Sequence, residues 1–417
     1  MTPTDTLSPT QQPTVFQKLL EPVEPFVREQ NQQLPKHPNQ KYEYYDFFRL
    51  LIYYFVSGTK SLKLLINTRL NRGLLPPELG LRPVPYSTCQ DAFERFHPRL
   101  FQAVFQHLLS TRYFKAVPEL ASLGTLYCID GSLFPVISSM LWAEYTTNHQ
   151  ALKLHLCFEL NRMIPVDFWV GSGNSSERQA LRQWLAEGVT YIADRGYMSF
   201  KLCYEITQAH AHFILRTKAN LLRTEVQCLS VSLPLHVQGI FENVSDQLIR
   251  YDNDPHGMLY RLVRFDIGQE AYCLLTNRRD LTTFQIIMLY AYRWQIELLF
   301  RFLKQTLNGL HLIRHDQDGV TIQFYALMIT TLLELYLKQY VLDSGPSRQN
   351  HRPNQCASEN QRLNKQACPR ISGAEFVALL GNKVKNYWKI GLHWLTALRD
   401  LLASPFDRRV IEILNEL

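Results

Sequence analysis

At Leu123 the chain changes texture, and that change limits its possible folds more than any other feature. Upstream, apolar residues recur at helical spacing. Downstream, three short stretches rich in β-branched, aromatic or alternating apolar residues follow one another: Leu126–Ile129, Leu152–Glu159 and Pro165–Val170. Runs of this kind read as strands. The chain then alternates. A helix at Glu177–Leu185, capped by Ser175 or Ser176, precedes a strand at Thr190–Ala193. A helix at Ser199–Ala209 precedes a strand at His212–Arg216. Sequential strands followed by helix–strand–helix–strand predict an α/β core that opens with an antiparallel meander.

The alternation stops at residue 220. Over 220–278, stretches at Thr224–Ser230, Leu235–Glu242, Gln247–Asp252, Leu259–Asp266 and Ala271–Leu275 read as strands of a β-rich insertion. Thr282 opens a long helix running to about Leu307, and Val320–Leu342 is another, which closes a core over 123–342. Residues 1–115 read as a helical N-terminal unit. It begins with a Pro- and Gln-rich mobile arm over 1–40, built around one helix at Thr14–Gln30. Helices at Tyr42–Leu70 and Thr88–Phe114 flank an Asn71–Pro85 loop, where glycines and prolines break helical structure. Asp343–Ser372 reads as a disordered linker, and 373–417 as a basic helical C-terminal unit.

Composition narrows the function classes. With 46% hydrophobic residues, a wholly disordered chain is excluded. A formal charge of +7 and a pI near 8.9 lean toward polyanionic partners without requiring them. The lean is sharpest at residues 360–409, with nine Lys/Arg against three Asp/Glu, and weak over 1–100, with twelve against nine. The apolar runs Phe47–Val56 and Phe324–Leu333 fall short of the ~20 residues that span a bilayer, and Met1–Pro13 lacks a signal-peptide pattern. Eight scattered cysteines without a CxxC pair read as reduced thiols, not a disulfide framework or zinc site. These features predict a cytoplasmic protein with no membrane partner.

Two strands end alike. Ile129 is followed by Asp130-Gly131, and Ala193 by Asp194-Arg195-Gly196-Tyr197. Each aspartate alone also reads as a turn residue, but strand ends brought side by side would share a site. On the helix after the insertion, Tyr290, Arg293, Glu297 and Lys304 project within an arc of about 60° at ~100° per residue. The same residues could be an ordinary amphipathic face with an i,i+4 pair. Three carboxylates from separate elements suit hard divalent cations such as Mg²⁺. Two such ions would activate a water or 3′-hydroxyl and stabilise the leaving oxygen of a phosphodiester. Arg293 and Lys304 would meet backbone phosphates, and Tyr290 could orient one. Arg216 and Lys218, at a strand end past the second aspartate, could do likewise or simply be solvated.

The order strand–Asp130, Asp194-Arg195-Gly196-Tyr197, then Tyr-x2-Arg-x3-Glu-x6-Lys at Tyr290, Arg293, Glu297 and Lys304 resembles the DDE transposases of prokaryotic insertion sequences, over about Leu123–Leu342. The resemblance implies an RNase H-like mixed sheet with flanking helices and a β-rich insertion before the last catalytic helix. It implies Asp130, Asp194 and Glu297 as a metal-binding triad for two Mg²⁺ ions, with Mn²⁺ as a substitute. Tyr290, Arg293 and Lys304 would assist at the DNA backbone. The implied activity is cleavage at transposon ends and strand transfer into target double-stranded DNA, by a homodimer on paired ends in the prokaryotic nucleoid. The competing readings are an RNase H-like nuclease without strand transfer, and a catalytically inactive transposase-derived DNA-binding protein.

One departure stands out. Some relatives hold a flipped base with a tryptophan in the insertion, and residues 195–289 contain none. Tyr251, Tyr260 and Tyr272 are the available rings. The N-terminal unit is the candidate for DNA-end binding by its position alone. Lys383, Lys385 and Lys389, near Tyr387 and Trp388, form a basic-aromatic patch that could bind DNA or a second protomer, or be plain surface. His149, His155, His210 and His212 show no metal-ligand spacing.

Overall fold

The computed structural model describes residues 14–344, apart from 37–39, 60, 113, 137–139, 147–148, 235–240, 268–269 and 307–311. The linker, the basic C-terminal unit and the Lys383–Lys389 patch of the sequence reading lie outside the described residues.

The core is one large mixed sheet with helices on both faces. Its strands are β1 (Thr125–Pro135), β2 (Glu144–Thr146), β3 (His149–Glu159), β4 (Ile164–Ser172), β5 (Val189–Ala193), β6 (His212–Arg216), β7 (Arg223–Cys228), β8 (Glu242–Tyr251), β9 (Tyr260–Ile267) and β10 (Glu270–Thr276). They lie in the order β2-β3-β1-β5-β6-β10-β9-β8-β7, with β4 also paired to β3. The opening strands form the expected antiparallel meander, β1 on β3 and β3 on β4. Strands β1, β5 and β6 run parallel. The helices α7 (Glu177–Gln183) and α8 (Phe200–Gln208) connect them, capped by Ser176 and Ser199.

The β-rich insertion expected between the second aspartate and the last catalytic helix is present, and it extends the core sheet. Antiparallel pairing of β10 residues Leu274–Thr276 with Ile214–Arg216 of β6 carries the sheet on through β9, β8 and β7. Pairing satisfies the backbone groups that would otherwise line an open edge at β6. Of the expected strand Leu235–Glu242, residues 235–240 lie outside the described residues, and Glu242 already opens β8.

Alternation along the strands divides the interior. Ile129, Tyr191, Ala193, Phe213 and Leu215 face Leu181, Leu202 and Ile206 of α7 and α8. Cys128, Ile192, Ile214 and Leu274 face the opposite core, which includes α9 (Thr283–Tyr292), α10 (Trp294–Thr306) and α11 (Gln317–Ser344). Around α11 pack α3 (Tyr44–Val56), α5 (Tyr86–Arg95) and α6 (Pro98–Thr111). The most apolar stretch of α11 lies in Gln317–Leu337, long enough to span a bilayer by length and composition, yet 72% of it is buried by the chain itself.

Three helical expectations need correction. Thr14–Gln30 is two helices, α1 (Val15–Leu20) and α2 (Glu24–Gln33), because Pro22 lies between them. Their Phe16, Leu19, Leu20 and Val27 are buried, so this stretch is no loose arm. Tyr42–Leu70 breaks after α3, resuming at α4 (Leu62–Leu64) and a π-helical turn, Leu65–Leu70. Thr88–Phe114 breaks into α5 and α6, where Pro98 starts a new helix with His97 as its cap.

Candidate active site

The parallel ladder between β1 and β5 ends at the pair Ile129–Ala193. The next residue on each strand is an aspartate, Asp130 and Asp194. The two aspartates thus lie side by side just past the last pair of the parallel ladder. The sequence reading placed Asp130 at a strand end. In fact β1 continues to Pro135 against β3, with Asp130 opposite Leu156. Asp130 accepts the Gly131 N–H at 2.8 Å.

The helix expected from Thr282 to Leu307 breaks at Arg293. A capping box of Thr282 and Gln285 starts α9. At the break the backbone tightens to i−3 bonding: Arg293 N–H to Tyr290 C=O at 3.1 Å, and Ile296 N–H to Arg293 C=O at 3.1 Å. A single helical wheel therefore does not describe all four motif residues. The break nevertheless brings three of them to the aspartates. The Tyr290 hydroxyl donates to Asp194 Oδ1 at 3.0 Å. The Arg293 guanidinium meets Glu297 Oε1 at 2.6 Å and Asp130 Oδ2 at 3.6 Å. Behind it, the Cys128 thiol of β1 faces the Arg293 carbonyl at 3.8 Å. Lys304 departs from the group: its Nζ lies 5.1 Å from the Phe134 ring centroid, near the far end of β1.

The electrostatics follow from this crowding. Burial pushes the Asp130 carboxyl up to about 6, and the nearby Glu297 and Asp194 charges add to the rise while Arg293 and the Gly131 amide oppose it. Asp194 is also partly buried, but the Arg195 amide, Arg293, Tyr290 and Arg216 together hold it below the usual carboxylate range. Burial raises the Tyr290 hydroxyl, which stays protonated as a donor. Arg293 titrates above its ordinary value despite burial, because Tyr290, Glu297, Cys128 and Asp130 favour its charged form.

Among the described residues, no three His, Cys, Asp or Glu groups stand ready to hold a metal ion as they are. Arg293 supplies the positive charge between Asp130 and Glu297. The donor set is all carboxylate oxygen, which suits a hard divalent cation. Crowded carboxylates that lift the affinity of Asp130 for a proton are equally a reason to take up a cation.

Arg216, at the end of β6, lies over the Tyr272 ring, 4.6 Å from its centroid, and its charge reaches Asp194. Lys218 is exposed just beyond β6. The three tyrosines weighed as base-stacking rings do not offer free faces. Tyr251 and Tyr260 are buried in the core, and Tyr272 lies between Arg216 and a parallel-stacked Phe265 on the neighbouring strand. Of the histidines, His155 is fully buried and hydrogen-bonded to Ser175 at 2.8 Å. The sequence reading missed Lys153 and Glu177, an ion pair at 2.8 Å beside the two aspartate-bearing segments. The only trace of it in the sequence is the glycine after each aspartate.

Carboxylates grouped on the central parallel strands of a mixed sheet, with another from a covering helix, define an RNase H-like fold. The chain belongs to the transposase DDE domain family, whose model matches residues 122–333, just over half of its length. It is 29% identical over 214 residues to y4zB of Sinorhizobium fredii, a protein named as a transposase, covering 50% of this chain and 59% of that one. It is 23% identical over 199 residues to a Geobacillus stearothermophilus protein named as the transposase of insertion sequence element IS5377, covering 47% and 52%. It is 21% identical over 220 residues to a Synechocystis protein named as the transposase of element IS4SA, covering 50% and 59%. The chain thus spans between half and three fifths of the length of these relatives.

Proposed function

We propose that this chain is a DNA transposase that binds the ends of its insertion sequence, cleaves phosphodiester bonds there and transfers the freed strand into target DNA. The observation that carries this reading is the meeting of Asp130, Glu297 and Arg293, with Asp194 tied through Tyr290 to α9, the helix just before the Arg293 break. Asp130, Asp194 and Glu297 would hold divalent Mg²⁺ ions, two in the full scheme, with Mn²⁺ as a substitute. Bound there, the metal supplies Lewis acidity toward the attacking oxygen and the phosphate.

The chain's own residues do the rest. Tyr290 fixes the rotamer of Asp194 by its hydrogen bond. Arg293 pairs with Asp130 and Glu297, and it would turn toward a substrate phosphate when one arrives. Arg216, Lys218 and Lys304 supply further positive charge for the DNA backbone. A homodimer on paired ends and end recognition by the N-terminal helices complete the reading.

A nuclease without strand transfer, or an inactive DNA-binding descendant, would use the same fold. Glu297→Gln is the test, with a labelled duplex bearing the element's end and a plasmid target. We expect end binding retained and both cleavage and joining lost. Unchanged cleavage in this variant removes the site. Wild-type cleavage without any joined product selects the nuclease reading.

A further inference from the structure

The glycine that follows each aspartate has a use in this structure beyond turn geometry. A Cβ on Gly131 would come within 2.9 Å of Lys153 Cε and 3.2 Å of His155 Nδ1. A Cβ on Gly196 would come within 2.0 Å of a Glu177 carboxylate oxygen. Lys153 and Glu177 are joined to each other, Nζ to Oε1, at 2.8 Å. The pair therefore reaches from the residue beside Asp130 to the turn that follows Asp194, with the tip of one of its side chains close against a glycine at each end.

We infer that the Lys153–Glu177 pair is a positioning bracket that sets the separation of Asp130 and Asp194 for metal loading. Strand β1 leaves β5 after Ile129, so no ladder pair joins the two strands at the aspartates themselves. The bracket supplies the missing tie from the other side of the sheet. Lys153 sits on β3 two residues before His155, whose partner across the ladder is Gly131. Glu177 opens α7, which packs against the Arg195–Tyr197 turn. The side chains of Lys153 and Glu177 are only 13% and 28% exposed, so the pair is screened less than a surface bridge. His155 is held neutral by burial and by the Lys153 charge, and its bond to Ser175 packs the bracket's flank. Ser175 before α7, the Lys153–Glu177 pair and the glycines of both aspartate motifs thus lie together.

This inference rests on the proposed metal role of Asp130 and Asp194, and its test separates the two. The full-length protein is titrated with Mg²⁺ alone, following the thermal-unfolding midpoint, and with Mg²⁺ in the end-cleavage assay. The variants are Lys153→Met, Glu177→Gln and, as a control, Asp130→Asn. The control is expected to lose both the Mg²⁺-dependent thermal shift and cleavage. If it keeps them, the active-site reading itself fails. With the control behaving as expected, Glu177→Gln and Lys153→Met should raise the Mg²⁺ midpoint in both readouts by about tenfold, the low end for outer-shell partners of metal ligands. At saturating Mg²⁺ the cleavage rate should return most of the way to wild type. A merely structural pair would lower the metal-free unfolding temperature and leave the Mg²⁺ midpoint where it was, and that result overturns the inference. A second check guards against misfolding. Gly131→Ala should lose stability by crowding Lys153 and the buried His155 ring, and Gly131→Ala with Lys153→Ala should recover the part owed to Lys153 while the raised Mg²⁺ midpoint persists. Recovery of both refutes the bracket.

Discussion

Asp130 should destabilise the metal-free protein at neutral pH, and replacing it should show by how much. Its carboxyl is raised from the ordinary 3.8 to about 6, chiefly by burial. Below pH 3.8 both the folded and the unfolded chain hold the proton, and the group is neutral in its effect. Between 3.8 and about 6 the folded protein keeps a proton that the unfolded chain releases, so stability falls as pH rises. Above about 6 both forms are ionised and the whole penalty stands. At about 1.36 kcal/mol per pH unit, the penalty is about 3 kcal/mol. The side chain is 21% exposed, so solvent screening removes only part of it. Asn at this position keeps an oxygen for the Gly131 N–H and carries no charge. Asp130→Asn should therefore be more stable than wild type by up to about 3 kcal/mol near neutral pH, with the gap closing toward pH 4. Urea unfolding in chelator across that range measures it. Mg²⁺ should largely offset the gap: at about one hundred times its dissociation constant it adds about 2.7 kcal/mol to the wild type and little to the variant. If the variant is less stable at neutral pH, or its advantage does not shrink on acidification, the buried-carboxylate account of Asp130 is wrong.

Three further expectations are simpler. Asp246→Ala should cost about 3–5 kcal/mol by denaturant unfolding, because it strands a buried cation; Asp246 and Arg261 are 0% and 5% exposed and bonded at 2.6 Å, and Asp246 also accepts the Thr283 hydroxyl where α9 begins. Lys304→Ala should weaken DNA binding or slow cleavage in gel-shift and cleavage assays while leaving the unfolding temperature near wild type, since Lys304 is exposed with its ammonium over the Phe134 ring. End binding should fall by orders of magnitude between about 50 and 200 mM salt as phosphate contacts release counterions, and a flat dependence would argue against a phosphate clamp.

Local pattern decided much of this molecule. The strand from His212 to Arg216, the capped helices after Ser176 and Ser199, and the paired strand–aspartate motifs were all legible because hydrophobic period and capping act over a few residues. So was the association of Tyr290, Arg293 and Glu297 with the two aspartates, through the resemblance that their spacing carries. What the sequence could not show was set by contacts between distant segments. Whether β10 pairs with β6 or closes a separate sheet depends on which edge is free, and strand composition does not record that. The break at Arg293 and its bond to Asp130, 163 residues earlier, arise from packing that interrupts an otherwise helical run. Nothing local marks Lys153 and Glu177, which the fold pairs with each other and brings against two glycines. A side chain's own chemistry is written in the chain, but its partner is chosen only when separate strands and helices close on one another.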